Sequence, residues 1–262
     1  MKILRAIKEL FFYNPLTKIP VANRNNYIKL FDEVKQLNHK NIDDLEKEYG
    51  YKINKLFLEE LALETQITIK KSINNYQHGR VLYSVLSNYV NQKKNEEINI
   101  LELGTARGFS AICMAKALDN LSVKGTIVTC DIIPHKKKIF WNAISDHDNK
   151  KKTREELILK WNNLFKYINF FHGDINQIIK KTKFNRINFA FIDAQHEYLD
   201  VKKEFEFISN LQKKGDIIIF DDIQEQFPGI GQLLDEIDST ESYEIKKIFS
   251  TSKRGYGIVK KK

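Results

Sequence analysis

The chain has 262 residues, 42% of them hydrophobic, enough for one large α/β unit with an appendage, which excludes a disordered polymer. Its net charge of +9 comes from 36 Lys and only 7 Arg, scattered in groups such as Lys136 to Lys138 and Lys150 to Lys152. Readers of phosphate and base edges favour the planar fork of Arg, so the surplus reads as a solvated surface with a modest preference for anionic substrates, and a nucleic-acid partner is not expected.

The N-terminus, MKILRAIKELFFYNP, mixes basic and apolar residues, but Lys8 and Glu9 interrupt a signal-peptide core. Apolar runs such as Ile217 to Phe220 are too short for a transmembrane segment, and a cytoplasmic location is expected. Ile3, Ile7, Leu10 and Phe11 line one face of a predicted helix, a docking face that raises the hypothesis of a homo-oligomer. From Asn25 to about Gln92 the period is helical, with a start at Asn41, Asp43 and Asp44 and a stop at Gly50. Leu56, Phe57, Leu61 and Leu63 form one predicted stripe, and Val81, Leu82, Val85, Leu86 and Tyr89 another. Residues 1–95 are thus expected to form an N-terminal helical cap and residues 96–262 an α/β domain.

Strands are predicted at Ile98 to Leu103, Thr126 to Cys130, Ile168 to Phe171, Ile187 to Ile192 and Asp216 to Phe220. Helices are predicted at Phe109 to Leu118, Thr153 to Phe165, Asp200 to Leu211 and Gly231 to Asp238, with Tyr243 to Phe249 and Gly255 to Val259 as a closing antiparallel pair. This alternation implies a doubly wound, Rossmann-like, seven-stranded sheet. Cys113 and Cys130 lack metal-site spacing and read as small buried residues of a reducing compartment. Ile132 to Lys152 is long for a connection between strands, and two readings stay open: a lid, or an insertion with Phe140 and Trp141 docked on the core. His135 and His147, on that segment, have no motif around them.

The first strand runs into the turn INILELGTARGFS, with Glu102 at its end and Gly104, Thr105, Ala106, Gly108 and Ser110 around the start of a helix. Small residues there let a backbone approach a nucleotide, and the helix start leaves N–H groups free. Ala106 and Phe109 replace two glycines of the dinucleotide fingerprint, which argues against a pyrophosphate reader. Asp131 closes the second strand, where a carboxylate can accept ribose hydroxyls. Asp193 ends the fourth strand, and Asp221 and Asp222 the fifth. Adjacent strands lie about 4.8 Å apart, so the three carboxylates should cluster and require a cation, with Mg²⁺, or Mn²⁺ or Ca²⁺, suiting an all-oxygen set. Asp also commonly ends strands and caps helices, and that structural role stays open for Asp222.

The string E-L-G-x-x-x-G-x-S resembles the first motif of class I S-adenosylmethionine (SAM) methyltransferases. The set Asp193, Asp221 and Asp222 resembles the metal site of O-methyltransferases of the catechol, caffeoyl-CoA and macrocin types. The resemblance spans about Tyr76 to Lys262 and implies a strand order of 3-2-1-4-5-7-6 with the last strand antiparallel. It further implies a cofactor site of Glu102, Gly104, Thr105, Ala106, Gly108, Ser110, Asp131, Asp174 and Asp193. Asp174 resembles the position that contacts adenine, though an exposed turn Asp reads equally well. The chain departs from the catechol type in having Asp222 in place of Asn and His196 in place of a lysine base, and both changes resemble the sugar-modifying type. His196 is expected as the general base, with a fourth metal ligand and a helix-start residue as its alternatives. Tyr198 flanks the substrate or packs. The expected activity is SAM- and metal-dependent methyl transfer to a hydroxyl of a small molecule, a sugar or glycan precursor being the preferred acceptor. A hydroxylase of the cephalosporin hydroxylase type and a non-catalytic SAM-binding protein are the rival readings. The N/D-P-P-Y/F string of amino-directed methyltransferases is absent after the fourth strand.

Overall fold

The computed structural model describes residues 19–93, 96–174, 184–251 and 254–262, so the predicted helix bearing Ile3, Ile7, Leu10 and Phe11 lies outside the described residues. Helices α1 (Arg24–Val34), α2 (Lys40–Tyr49), α3 (Lys55–Thr65) and α4 (His78–Asn91) precede the sheet. Asn23 and Asn54 cap α1 and α3 by accepting from the N–H groups of Asn26 (3.1 Å) and Phe57 (2.9 Å), and Gly50 ends α2 at φ 77°. The start of α2 differs from the expected Asn41, because that side chain donates instead to Phe249 O (3.0 Å) and His39 takes the capping position. The predicted stripe of α3 is rotated: Leu58, Leu61, Ala62 and Thr65 are buried, while Leu56 is 75% exposed. Arg80 of α4 binds Asp43 and Glu46 of α2 at 2.5 Å each, joining the two helices. The stripe Val81, Leu82, Val85, Leu86 and Tyr89 is buried as expected.

Strands β1 (Ile98–Leu103), β2 (Gly125–Asp131), β3 (Ile168–His172), β4 (Phe189–Ile192), β5 (Ile217–Ile223), β6 (Tyr243–Thr251) and β7 (Arg254–Lys261) form one sheet in the order β3-β2-β1-β4-β5-β7-β6. The first five pair in parallel, and β7 runs antiparallel to both β5 and β6. Helix α5 (Phe109–Asn120) follows β1. Parallel strands covered on both faces are apolar throughout, which is why Phe189 to Ile192 and Ile217 to Phe220 are all buried. One face packs on α4 and α5, so that cap and sheet share a core; the other packs on α7 (Tyr198–Asn210) and α8 (Pro228–Ser239).

The predicted helix from Thr153 to Phe165 divides into a single turn, α6 (Arg154–Leu157), and a 3₁₀ segment, Leu159–Tyr167. The break falls at Trp161 (φ −106°, ψ 26°), whose ring meets Phe57 of α3 edge-on, so seating the indole wins over regular helix. The segment from Ile132 to Lys152 is docked, with Phe140 and Trp141 buried. Asn142 accepts from Tyr27 Oη (3.0 Å) and clasps Ile69 through both its N–H (3.1 Å) and its carbonyl (3.0 Å), tying this segment to the cap.

Candidate active site

The turn between β1 and α5 owes its shape to backbone that L side chains rarely adopt: Gly104, Ala106 and Gly108 have φ of 103°, 43° and 87°. A Cβ on Gly104 would lie 2.2 Å from Asp193 O, so glycine lets the end of β1 meet the end of β4. Thr105 and Thr129 join hydroxyls at 2.5 Å, and Thr129 in turn donates to buried Glu102, with Ser110 beside it. Burial pushes the Glu102 carboxyl up to about 7. Its Oε1 has no hydrogen-bond partner among the described residues.

Asp131 accepts from Ala106 N (2.5 Å) and Ile133 N (2.7 Å), and burial raises its pKa against those bonds and the charge of Arg154. Arg154 is fully buried. Its Nε donates to Ala106 O (2.8 Å), its Nη2 lies 3.8 Å from Asp131, and its guanidinium covers the Trp141 ring. The glycine turn is thus fixed from below by a cation that the sequence patterns did not single out. Asp174 lies on the same sheet edge, exposed, just after Gly173, whose N–H donates to Asp131 O (2.9 Å).

Parallel pairing of Ile192 with Phe220 sets Asp193 beside Asp221 and Asp222, as their strand positions predict. The expected cation is in part the protein's own. Arg254, the first residue of β7, binds Asp221 through Nη2–Oδ2 (2.6 Å) and Nε–Oδ1 (3.3 Å), and its Nε lies 3.1 Å from Asp222 Oδ1. Asp221 Oδ1 also accepts the N–H of Asp222 (2.6 Å), so both its oxygens are engaged. Asp222 sits at φ 56°, within an irregularity between Phe220 and Ile223, and this turns its carboxylate to His196, whose Nε2 is 3.1 Å from Oδ2. Burial raises the Asp222 pKa, but Arg254 and His196 outweigh it and hold the group down at about 2. Asp193, half-buried and facing both other carboxylates, is pushed up by loss of hydration and by their charges, and burial also raises Asp221 against Arg254.

The set that converges is therefore Asp193, His196 and Asp222, each offering a ligand atom within 4.8 Å of the others, while Asp221 faces Arg254. The His196 ring stacks on Phe227 (4.0 Å between centres), and Gly229 at the start of α8 allows backbone contact, since a Cβ there would lie 2.5 Å from His196 O. Tyr198 turns from this set and donates to Glu236 (2.5 Å), which gives it a packing role. His135 stacks on Phe170 and pairs with Glu155, and His147 bonds Ile144 O, so both are local braces.

The cap adds His78, buried in the first turn of α4 between Phe109 and Phe191. Burial and then the charge of Arg254 push its pKa down to about 3. The ring is neutral in the fold and takes a proton in the unfolded chain below about 6.5, so stability rises with pH across that window and is lost as pH falls through it, by at most about 1.4 kcal/mol per unit. His78→Phe should therefore narrow the stability gap between pH 7 and pH 4.5 in urea melts; an unchanged gap would disprove the assignment.

Residues 101–223 match the model of a family described as a methyltransferase domain. No curated protein matches the sequence. Among solved structures, the O-methyltransferase from Bacillus cereus in complex with SAH is similar at 17% identity and a TM-score of 0.53, over 89% of this chain and 96% of that one. TomG from Streptomyces achromogenes, an O-methyltransferase involved in tomaymycin synthesis, is similar at 14% identity and a TM-score of 0.51, over 71% of this chain and 80% of that one. The O-methyltransferase NovP is similar at 15% identity and a TM-score of 0.52, over 71% and 81%. At such identities the likeness is one of fold. The sheet order and the match over residues 101–223, just under half of the chain, make the chain similar in fold to methyltransferases.

Proposed function

We propose that the chain is a SAM- and divalent-metal-dependent O-methyltransferase of a small hydroxylated molecule. The observation that carries this is the close backbone approach of Gly104 to Asp193, which sets the glycine turn directly beside the Asp193, His196, Asp222 set at adjacent strand ends. The residues present fit both groups. Gly104, Ala106 and Gly108 give a turn that admits a ligand to the backbone, Glu102 Oε1 is an unmet acceptor, and Asp131 is the acceptor for ribose hydroxyls. Thr105 and Ser110 complete the turn, and Asp174 stands further along the same edge. When bound, SAM supplies an electrophilic methyl group, and the cation makes an acceptor hydroxyl more acidic.

The donor set guides the choice of metal. Two carboxylates and an imidazole suit Mn²⁺ better than Mg²⁺ or Ca²⁺, which favour oxygen alone. Arg254 already offsets one of three carboxylates, leaving a formal charge that a divalent cation balances. In this reading Asp193, Asp222 and His196 hold the cation and Asp221 holds Arg254. The division proposed is a cap in residues 1–95 and a catalytic unit in residues 96–262, supported by the described cap helix α4 sharing a core with the sheet, and a sugar or glycan precursor remains the preferred acceptor.

Calorimetry tests this in two steps. SAM should bind the wild type, and Asp131→Asn should weaken it at least tenfold, the loss expected for charged hydrogen bonds. Mn²⁺ should bind the wild type, with Asp193→Asn and His196→Ala losing Mn²⁺ but keeping SAM. Equal Mn²⁺ affinity in all three proteins would make the cluster structural, and preference for NAD over SAM would overturn the whole reading.

A further inference from the structure

The first turn of α4 holds a side chain whose bonding is unfinished. His78 is 4% exposed, its Nδ1 is buried without a partner, and neither ring nitrogen makes a hydrogen bond among the described residues. A neutral imidazole carries one N–H and one bare lone pair, and leaving them unmet in the interior costs free energy that native folds seldom give up. The same helix bonds its other polar groups well. Arg80, two residues on, commits its guanidinium to Asp43, Glu46 and Gln77. A bare ring in such a setting points to a ligand.

Ring contacts fix its place. The imidazole meets Phe109 edge-on at 4.7 Å between centres and lies parallel to Phe191, 8° between planes, at 6.2 Å. Phe109 opens α5 directly after Gly108, while Phe191 stands two positions before Asp193 and pairs with Glu102 across β1 and β4. Gly79 permits this approach, since a Cβ there would lie 2.7 Å from the Phe109 ring and 2.9 Å from Cys113 Sγ. Residues paired across parallel strands face the same side, and Ile100, Phe189 and Phe191 pack on the side that α4 covers. His78 and Glu102 therefore belong to one face of the sheet, at the edge where the glycine turn begins.

Two unmet groups thus stand on that face: Glu102 Oε1, an acceptor, and the His78 ring, which offers an N–H. We propose that His78, supplied by the N-terminal cap, binds the amino-acid end of SAM, donating its N–H to the carboxylate while Glu102 accepts from the ammonium. This rests on the cofactor half of the reading above. With the ribose at Asp131 on β2 and the methyl group directed at Asp193 on β4, the third arm of the sulfonium needs a seat of its own. That arm is a zwitterion, which requires a donor and an acceptor close together. On the opposite face the same strand ends present Leu103 and Ile192, which offer neither. Burial and the charge of Arg254 keep the ring unprotonated, so it meets the carboxylate as a neutral donor.

5′-Methylthioadenosine carries the adenosine and sulfur of SAH without the amino-acid arm, so the two ligands separate a contact from a structural role. Calorimetry should show the wild type binding SAH more tightly than methylthioadenosine. His78→Phe, which keeps a ring and lacks the N–H, should weaken SAH roughly tenfold or more, the loss expected for a hydrogen bond to a charged group, and leave methylthioadenosine within about twofold. His78→Gln restores an N–H and should recover most of the SAH affinity. His78→Leu is the second variant if the aromatic one does not fold. Unchanged SAH affinity in the variants overturns the proposal, as does an equal loss for both ligands or a wild type that binds the two alike. A wild type that binds neither ligand overturns the cofactor reading and His78 with it, whereas SAH binding that ignores His78 removes His78 alone.

Discussion

Arg254→Met should destabilise the protein by about 3–5 kcal/mol at neutral pH, the cost of leaving one partner of a buried ion pair uncompensated. Asp221 has no exposed side-chain surface, and among the described residues Arg254 alone forms an ion pair with it, through two nitrogens. Without that guanidinium, burial and the neighbouring Asp193 and Asp222 charges would lift the Asp221 pKa far above its value in the unfolded chain. The folded state would then hold the extra proton, so the stability of the variant should fall as pH rises through the new folded pKa and recover as pH drops. Urea melts at pH 5 and 7.5 should show the larger deficit at 7.5. Adding Asp221→Leu should restore most of the loss, because removing both partners spares the unpaired charge. A deficit equal at both pH values, or left unrepaired by the second substitution, would show that Arg254 acts through packing.

The second large effect is expected at Gly104. In Gly104→Ala the new methyl carbon would lie 2.2 Å from Asp193 O and 2.7 Å from Asp193 C, with φ held at 103°. The atoms it meets are backbone, so no side chain can swing aside, and the ends of β1 and β4 must part. The expected cost is about 4 kcal/mol or more, in the range reserved for a severe local conflict. Because Asp193 is displaced by the same movement, the variant should lose Mn²⁺ as well as SAM. Thermal unfolding with calorimetry on both ligands separates the cases: an unchanged melting temperature with SAM alone lost would reduce Gly104 to a steric requirement of the cofactor.

The features legible in the sequence were those set by neighbours along the chain. A glycine turn after an apolar strand, and carboxylates at successive strand ends, need only local spacing and parallel pairing to be placed on one edge, and Gly104, Asp131 and Asp193 are there. What escaped depended on distant partners or on one dihedral. Arg254 comes from the far end of the chain, and only the antiparallel register that sets Gly255 against Ile223 brings it to Asp221. The grouping of Asp222 with His196, leaving Asp221 to Arg254, follows from a positive φ at Asp222 that no spacing rule announces. The loop at 66–77 has only its asparagines as a sequence signal, while its long-range bonds, Ile69 to Asn142 and Asn75 to Ser250, span 73 and 175 positions. Trp161 broke a predicted helix for the same kind of reason, a contact with Phe57 that local propensity cannot see.

The shared core of cap and sheet bears on how this protein can be cut or recombined. Tyr89 of α4 donates to Asp216 (2.7 Å), a buried carboxylate also held by Arg186, and the same helix covers Ile100, Phe189 and Ile217. A fragment beginning at residue 96 would strip a hydroxyl from that carboxylate and bare a broad aliphatic face of the central strands. Such a fragment would precipitate or pair with a copy of itself instead of standing alone, so a transplanted catalytic half has to carry α4 with it, and libraries of exchanged caps should be spliced ahead of Tyr76 rather than at the first strand.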